Sequence, residues 1–362
     1  MAAPFSFTLP PELAADEPPE RRGLARDEVR LLVIDRASGR IQHTRFDHFG
    51  EFLHAGDLLV FNSSRTLPAS LAGCAVPGGP CIEVRLAEHL ADDSWLALLL
   101  CQRGDPFSCG LRPGMEVDFG QGLTATVQER DERIPRLWKL SFSKQGTELM
   151  NMLYRLGRPV RYEYVSAPWG LDYYQTVYAR EPGSAEMPSA GRAFTWRLLF
   201  NLQRRGIETA YIVLHTGLSS YMDDELDAQH PASEEEYFES ERAAKKINDA
   251  HARGGRVIAV GTTVVRTLEA AADEKKEGSS AGQTGWVACQ VQAGHGYTQL
   301  RITADHVLKA ADGLLTGLHE PEASHLDLLT AFLPAEKISE AYEEAVRQKY
   351  LWHEFGDLNL IL

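Results

Sequence analysis

No stretch of this 362-residue chain approaches the ~18 consecutive apolar residues that a membrane-spanning helix needs. The opening MAAPFSFTLPPELAADEPPERR lacks a basic start followed by an apolar run, so no secretory signal is expected and a cytoplasmic protein without a membrane partner is. Cysteine is scarce. Cys74, Cys81, Cys101, Cys109 and Cys289 are odd in number and lack paired metal-ligand spacing, which predicts free thiols in a reducing compartment. Cations are outnumbered, with 37 Lys and Arg against 51 Asp and Glu and a net charge of −14. Such a field opposes long-range attraction to phosphate, so a nucleic-acid partner requires a local basic face. The acidic runs Asp223-Asp224-Glu225 and Glu234-Glu235-Glu236 read as solvated surface. Also missing are a Walker A loop, a G-x-G-x-x-G turn after a strand, a G-x-S-x-G elbow at the end of a strand and an H-E-x-x-H helix.

What is present is an ordinary globular balance, 44% hydrophobic and 24% charged, with length for one large domain or two ordinary ones. Residues 1–28 read as an irregular arm. VRLLVID (29–35), IQHTRF (41–46) and DLLVF (57–61) read as strands. From about 70 to 160, short β-type runs such as CIEVRLAEH, SWLALLL and LTATVQER alternate with PGG, RPG and GQG turns. That spacing predicts a small antiparallel barrel or sandwich, and its flanks make it an insertion. After residue 190 the texture is α/β. A helix over 194–205, a strand over 209–215, a helix over 237–253, the nearly all-apolar strand RVIAVG (256–261) and a helix from Thr263 to about Ala272 imply parallel-sheet units. A loop over 275–285, strands near 286–292, 312–317 and 358–362, and helices over 323–332 and 336–349 follow. The expected architecture is a mixed α/β body of residues 1–69 and 161–362, interrupted by a β-barrel domain of residues 70–160.

Four segments can carry chemistry. Gly261-Thr262-Thr263 joins a buried strand to a helix, where free amides and the positive dipole end favour an anion. Arg266 in the first turn opposes that dipole, which an anion bridging it to the amides explains. Capping by a threonine, with Arg266 in a plain salt bridge, explains it equally. His215 and Gly217 end the strand TAYIVLH at the same edge. Ser189, Ala190 and Gly191 lie in a Gly/Pro/Ser loop that is either a ligand-hugging turn or a linker. His319, Glu320, Glu322 and His325 crowd seven positions, with His353 and Asp357 beyond. Pro321 breaks any helix that would put the first four on one face, so no metal is expected.

In order along nearly the whole chain, RLLVIDRASGRIQH, AGDLLVFNSSRTLPASL, LRPGMEVDFGQGLTATV, YQTVYAREPGSAEMPSAG, LHTGL, GGRVIAVGTTVVRTLE, DGLLTGLHEPEASHL and GDLNLI resemble the S-adenosylmethionine:tRNA ribosyltransferase-isomerase family of queuosine biosynthesis. The resemblance implies a monomeric two-domain enzyme that uses S-adenosylmethionine as a ribosyl donor. The amine of 7-aminomethyl-7-deazaguanine in tRNA attacks the ribose, the sugar becomes an epoxycyclopentane in epoxyqueuosine, and adenine and methionine depart. Such chemistry needs a base for the proton beside the sulfonium, an acid near adenine and an anion cradle. By resemblance, Arg266 with Gly261–Thr263 suits the cradle, His215 and His319 proton transfer, and Arg65 and Asp357 positioning; Ser189, Ala190, Gly191 and Gly217 join the donor site.

The sequence also departs from the family pattern. T-A-G-L-H-F reads Ser189-Ala190-Gly191-Arg192-Ala193-Phe194, without the imidazole. H-x-M-H-S-E has become HPASEEEY, with Glu234 near a histidine position. T-N-F-H-L-P-K-S ends Glu322-Ala323, an acid for a lysine, and Y-R-F-F-S-Y reads Tyr350-Leu351-Trp352-His353-Glu354-Phe355. Either the acceptor is a small-molecule amine rather than tRNA, or His325 and His353 replace the lost imidazoles in space. A metal-dependent hydrolase built on His319, Glu322, His325 and His353, and an inactive S-adenosylmethionine-binding protein, complete the alternatives.

Overall fold

The computed structural model describes residues 7–101, 110–222, 235–273, 290–321 and 324–362. The chain opens with β1 (Arg30–Ile34), β2 (Ile41–Arg45), β3 (Leu58–Asn62) and β4 (Ser64–Thr66). Six strands follow: β5 (Ser70–Val76), β6 (Cys81–His89), β7 (Trp95–Cys101), β8 (Glu116–Asp118), β9 (Thr124–Arg130) and β10 (Leu137–Phe142). After them come β11 (Glu181–Ser184), β12 (Glu208–Leu214), β13 (Glu235–Glu239), β14 (Val257–Val260) and the short β15 (Ala272–Asp273). β16 (Gln290–Val291), β17 (Gly294–Thr298), β18 (Gly313–Gly317) and β19 (Leu358–Ile361) complete the set.

One nine-stranded sheet runs β17-β13-β12-β3-β14-β18-β19-β1-β2. Its centre, β12, β3, β14 and β18, is parallel. LLVFN of β3 and VIAV of β14 are buried at every position, as strands covered on both faces require. Leu58 and Val60 pack with Ala243, Ile247, Val264 and Leu268 of the helices Glu241–Ala252 and Thr262–Ala270. Leu59 and Phe61 face the other way, onto Phe46, Phe194 and Leu202, the last from helix Trp196–Arg204. The period-two alternation of the strands thus builds a core on each side of the sheet.

The strands β5 to β10 close an antiparallel barrel in the order β10-β7-β6-β5-β8-β9. Alternate residues of β5 and β9 point inward, and helix Gly146–Leu156 adds Leu149, Met152 and Leu153 to the same core. Sequence and structure agree on a mixed α/β fold with an antiparallel barrel.

Two local expectations change. Residues 235–239 form β13 rather than the start of a helix, pairing Phe238 with Val213 and Glu236 with Tyr297. Ser240 then caps the helix, its Oγ accepting from the Ala243 amide at 3.2 Å. Cys74 and Cys81 sit directly opposite on β5 and β6 and are joined by a disulfide, so the expectation of free thiols fails there. The loop 275–285, the segment 286–289 and the acidic run 223–225 lie outside the described residues. Among the described residues, no helix is long and apolar enough to cross a membrane.

Candidate active site

The four central parallel strands deliver their carboxyl ends to one edge of the sheet, where open α/β sheets bind ligands. Segments following β3, β12, β14 and β18 meet there with the turn after β11. Barrel residues Arg85, Ala87, His89 and Trp95 form the facing wall. The cleft between sheet edge and barrel has a volume of about 1060 Å³. Of the residues singled out from sequence, Ser189, Ala190, His215, Gly217, Gly261, Thr262, Thr263, Arg266 and His319 line it.

Local hydrogen bonds explain the placement of His215. Asn62, at the end of β3, grips the neighbouring strand: its amide donates to the Leu214 carbonyl at 2.8 Å and its Oδ1 accepts from the Leu214 amide at 3.1 Å. The same Oδ1 accepts from the Ser64 amide, which sets Ser64 Oγ 2.8 Å from His215 Nδ1 and 2.6 Å from Ser184 Oγ. Burial holds the His215 imidazole below its usual range, so it is neutral at pH 7.

Gly261 adopts φ 103° and ψ 150°, a backbone region reserved for glycine, and is the N-cap of helix Thr262–Ala270. Gly261 offers no side chain to cap the helix, and Gly261, Thr262 and Thr263 line the cleft. Arg266 is half-buried and forms a two-pronged pair with Glu235, Nε to Oε2 at 2.8 Å and Nη2 to Oε1 at 2.6 Å. The salt-bridge explanation of Arg266 is therefore the observed one. Glu235 is not free surface but a cleft residue, and Glu236 beside it contacts His295 at 2.6 Å.

His319 Nε2 lies 2.8 Å from Thr316 Oγ1, and its carbonyl accepts from the buried Trp352 indole at 3.1 Å. Burial, reinforced by His353, lowers the His319 pKa to about 4; burial alone does the same for His353. Ala193 and His353 border one small cavity, so His353 stands beside the position where the family pattern has its imidazole. Glu322 and Glu234 lie outside the described residues, as does the His325 side chain. Among the described residues, no three His, Cys, Asp or Glu side chains gather as a metal site.

The remaining expected positions stand off the cleft. Asp357 accepts from the Arg30 amide and the Leu351 amide, each at 2.8 Å, and is ion-paired with the Arg30 guanidinium, tying the start of β19 to β1. Arg65 is exposed with its guanidinium 5.8 Å from the Tyr154 ring. Gly191 packs behind the lining, where a Cβ would fall 1.9 Å from the Tyr178 hydroxyl oxygen.

Four lining residues were not anticipated. Tyr162 and Tyr164 project from one extended stretch, their rings 17° from parallel; Tyr164 stacks on His353 at 3.9 Å. Each hydroxyl donates to a carboxyl, Tyr162 to Glu186 and Tyr164 to Glu354. Burial raises both carboxyl pKa values, that of Glu186 to about 8. The i, i+2 spacing of the tyrosines was the available signal; their carboxyl partners are 24 and 190 residues away.

A family model described as "Queuosine biosynthesis protein" matches residues 2–361. The S-adenosylmethionine:tRNA ribosyltransferase-isomerase of Symbiobacterium thermophilum is 39% identical over 365 residues, covering 99% of this chain and 98% of its own. That of Moorella thermoacetica is 39% identical over 362 residues with the same coverage. The crystal structure of S-adenosylmethionine tRNA ribosyltransferase from Thermotoga maritima superposes with a TM-score of 0.53 at 30% identity, covering 99% of this chain and 100% of that one.

Proposed function

Because the chain belongs to the S-adenosylmethionine:tRNA ribosyltransferase-isomerase family of queuosine biosynthesis, we propose that its cleft moves and isomerises the ribosyl group of S-adenosylmethionine onto 7-aminomethyl-7-deazaguanine in tRNA. The product is epoxyqueuosine, and adenine and methionine are released. The observation that carries this reading is the convergence in one cleft of the Gly261–Thr263 helix start, Arg266, His215 and His319. The helix amides with Arg266 hold the methionine carboxylate. His215 and His319, both neutral at pH 7, take part in proton transfer. Ser189, Ala190 and Gly217 shape the wall against the nucleoside. Residues 1–69 with 161–362 form the catalytic body and 70–160 an inserted domain, in a protein that works as a cytoplasmic monomer.

A second acceptor class has one specific observation behind it. Among the described residues, seven glutamates line the cleft (Glu88, Glu163, Glu186, Glu235, Glu236, Glu320 and Glu354), three of which, Glu186, Glu320 and Glu354, burial pushes toward the neutral acid, against three arginines (Arg85, Arg161 and Arg266). That balance suits a cationic small-molecule amine better than phosphate. The deciding experiment incubates the protein with S-adenosylmethionine and either tRNA carrying the aminomethyl base or the free base, following adenine and methionine by mass spectrometry. Release with the tRNA alone supports the first reading; release with the free amine alone replaces it with the second; release with neither removes both.

A further inference from the structure

We propose that Glu186 is the proton donor of this cleft, passing the hydrogen on its Oε2 to the departing adenine. The inference rests on the ribosyl-transfer reading above and adds to it a group that neither sequence motif nor family pattern pointed to. Glu186 follows β11 on the cleft wall, and its carbonyl accepts from Thr216 Oγ1 at 3.2 Å, which fixes the backbone. Two donors converge on one oxygen of its carboxyl: the Ser219 amide reaches Oε1 at 2.7 Å, and the Tyr162 hydroxyl reaches the same atom. Tyr162 is itself held by Ser219 Oγ at 3.1 Å. An oxygen that already accepts two hydrogen bonds is the carbonyl-like one, so the acid form carries its hydrogen on Oε2. Oε2 has no protein partner among the described residues and belongs to a side chain that lines the cleft.

The imidazoles of His215, His319 and His353 leave this role open. His319 and His353 are held near pKa 4 and His215 below its usual range, so none of these imidazoles is a proton donor at pH 7. Around Glu186, burial and the Glu354 carboxyl favour the acid form, while the Ser219 amide and Arg85 favour the carboxylate; the balance lies at about 8. In the assigned step the bond from ribose C1′ to the purine nitrogen breaks, its electron pair goes to the purine, and a lone pair of the ribose ring oxygen forms the C1′=O bond of an oxocarbenium ion in its place. The purine takes the Oε2 proton and leaves as neutral adenine, and Glu186 remains as carboxylate. Tyr162 and Ser219 are positioning residues, touching the acid and not the substrate.

The test measures adenine release against pH for the wild-type chain, Glu186→Gln and Tyr162→Phe, with folding checked by thermal melting. A second measurement follows the Glu186 carboxyl by carbon NMR in glutamate-labelled protein, assigned with Glu186→Gln. The expected result is a turnover loss of about 100-fold or more in Glu186→Gln with KM little changed, because an amide cannot supply the proton. The wild-type rate falls above pH about 8, and Tyr162→Phe moves that limb to higher pH by removing a donor to the carboxylate. Unchanged turnover in Glu186→Gln, or a carboxyl that titrates in the ordinary range near ~4.3, overturns the assignment. No adenine release by the wild-type chain instead removes the ribosyl-transfer reading, and the adenine assignment with it, whatever the variants do.

Discussion

Gly183 lies directly beneath the His215 imidazole: a Cβ added at Gly183 would sit 2.4 Å from Nδ1, closer than real contacts allow. The ring cannot yield freely, because Ser64 Oγ holds the same nitrogen at 2.8 Å. Gly183→Ala is therefore expected to rotate or expel the imidazole and to cost about 1–3 kcal/mol in overpacking. Turnover falls at least tenfold if His215 moves protons, and Ser64→Ala, which frees the ring without crowding it, gives a smaller loss. Melting temperature and kcat, measured on both variants, separate the two effects. Full activity in Gly183→Ala with normal melting would remove His215 from the mechanism.

Arg266 and Glu235 make opposite predictions for donor binding. Arg266 and the start of helix Thr262–Ala270 line the same cleft, yet Glu235 already occupies two of the guanidinium's donors. If the methionine carboxylate competes for Arg266, Glu235→Gln lowers KM for S-adenosylmethionine several-fold, while Arg266→Ala raises it about tenfold or more. A purely structural pair predicts something else: each variant loses about 1–3 kcal/mol of stability and neither changes KM. Steady-state kinetics beside thermal melts distinguish them.

The sheet was legible because its central strands state their own burial: VIAV and LLVF leave no polar position to face water. The carboxyl-edge loops followed, since strand-then-glycine patterns at 215–217 and 261–263 place themselves. β13 was not legible. Its EEYFE carries charge at three of five positions, and only pairing with β12 and β17 makes it a strand. The same pairing carries Glu235 to Arg266, across 31 residues of sequence. Asp357 looked like a site residue from its motif, but its carboxylate is spent on backbone amides and Arg30. Long-range polar partners of this kind leave no periodic trace in a sequence.

Charge at the cleft sets an expectation for tRNA. Among the described residues, only Arg85, Arg161 and Arg266 line it as arginine or lysine cations, and Arg266 is already paired. Each phosphate neutralised contributes about 0.7–0.9 to the slope of log affinity against log salt. A tRNA held through the cleft alone then shows a shallow slope of about 2 or less in KM measured from low to moderate KCl. A slope of about 6 or more would locate a basic face outside the cleft as the main tRNA contact. An acceptor without phosphates shows no slope.

Acid lability follows from the buried imidazoles. His319 and His353 titrate at about 4 in the folded chain against 6.5 for the exposed group, with burial as the first cause in both. Above pH 6.5 both are neutral, folded or unfolded, and their contribution to stability is complete. Between 6.5 and 4 the unfolded chain binds protons that the folded chain refuses, so stability falls as pH falls. Each imidazole accounts for on the order of 1 to 3 kcal/mol across that window. His353→Gln removes one titrating group and should flatten the curve of unfolding free energy between pH 6.5 and 4, measured by urea titration at each pH. It also removes the ring stacked on Tyr164 at 3.9 Å, so its stability at pH 7.5 should fall below wild type while its loss on acidification becomes smaller. Parallel curves for the two proteins would mean that His353 is protonated as readily in the folded chain as in the unfolded one.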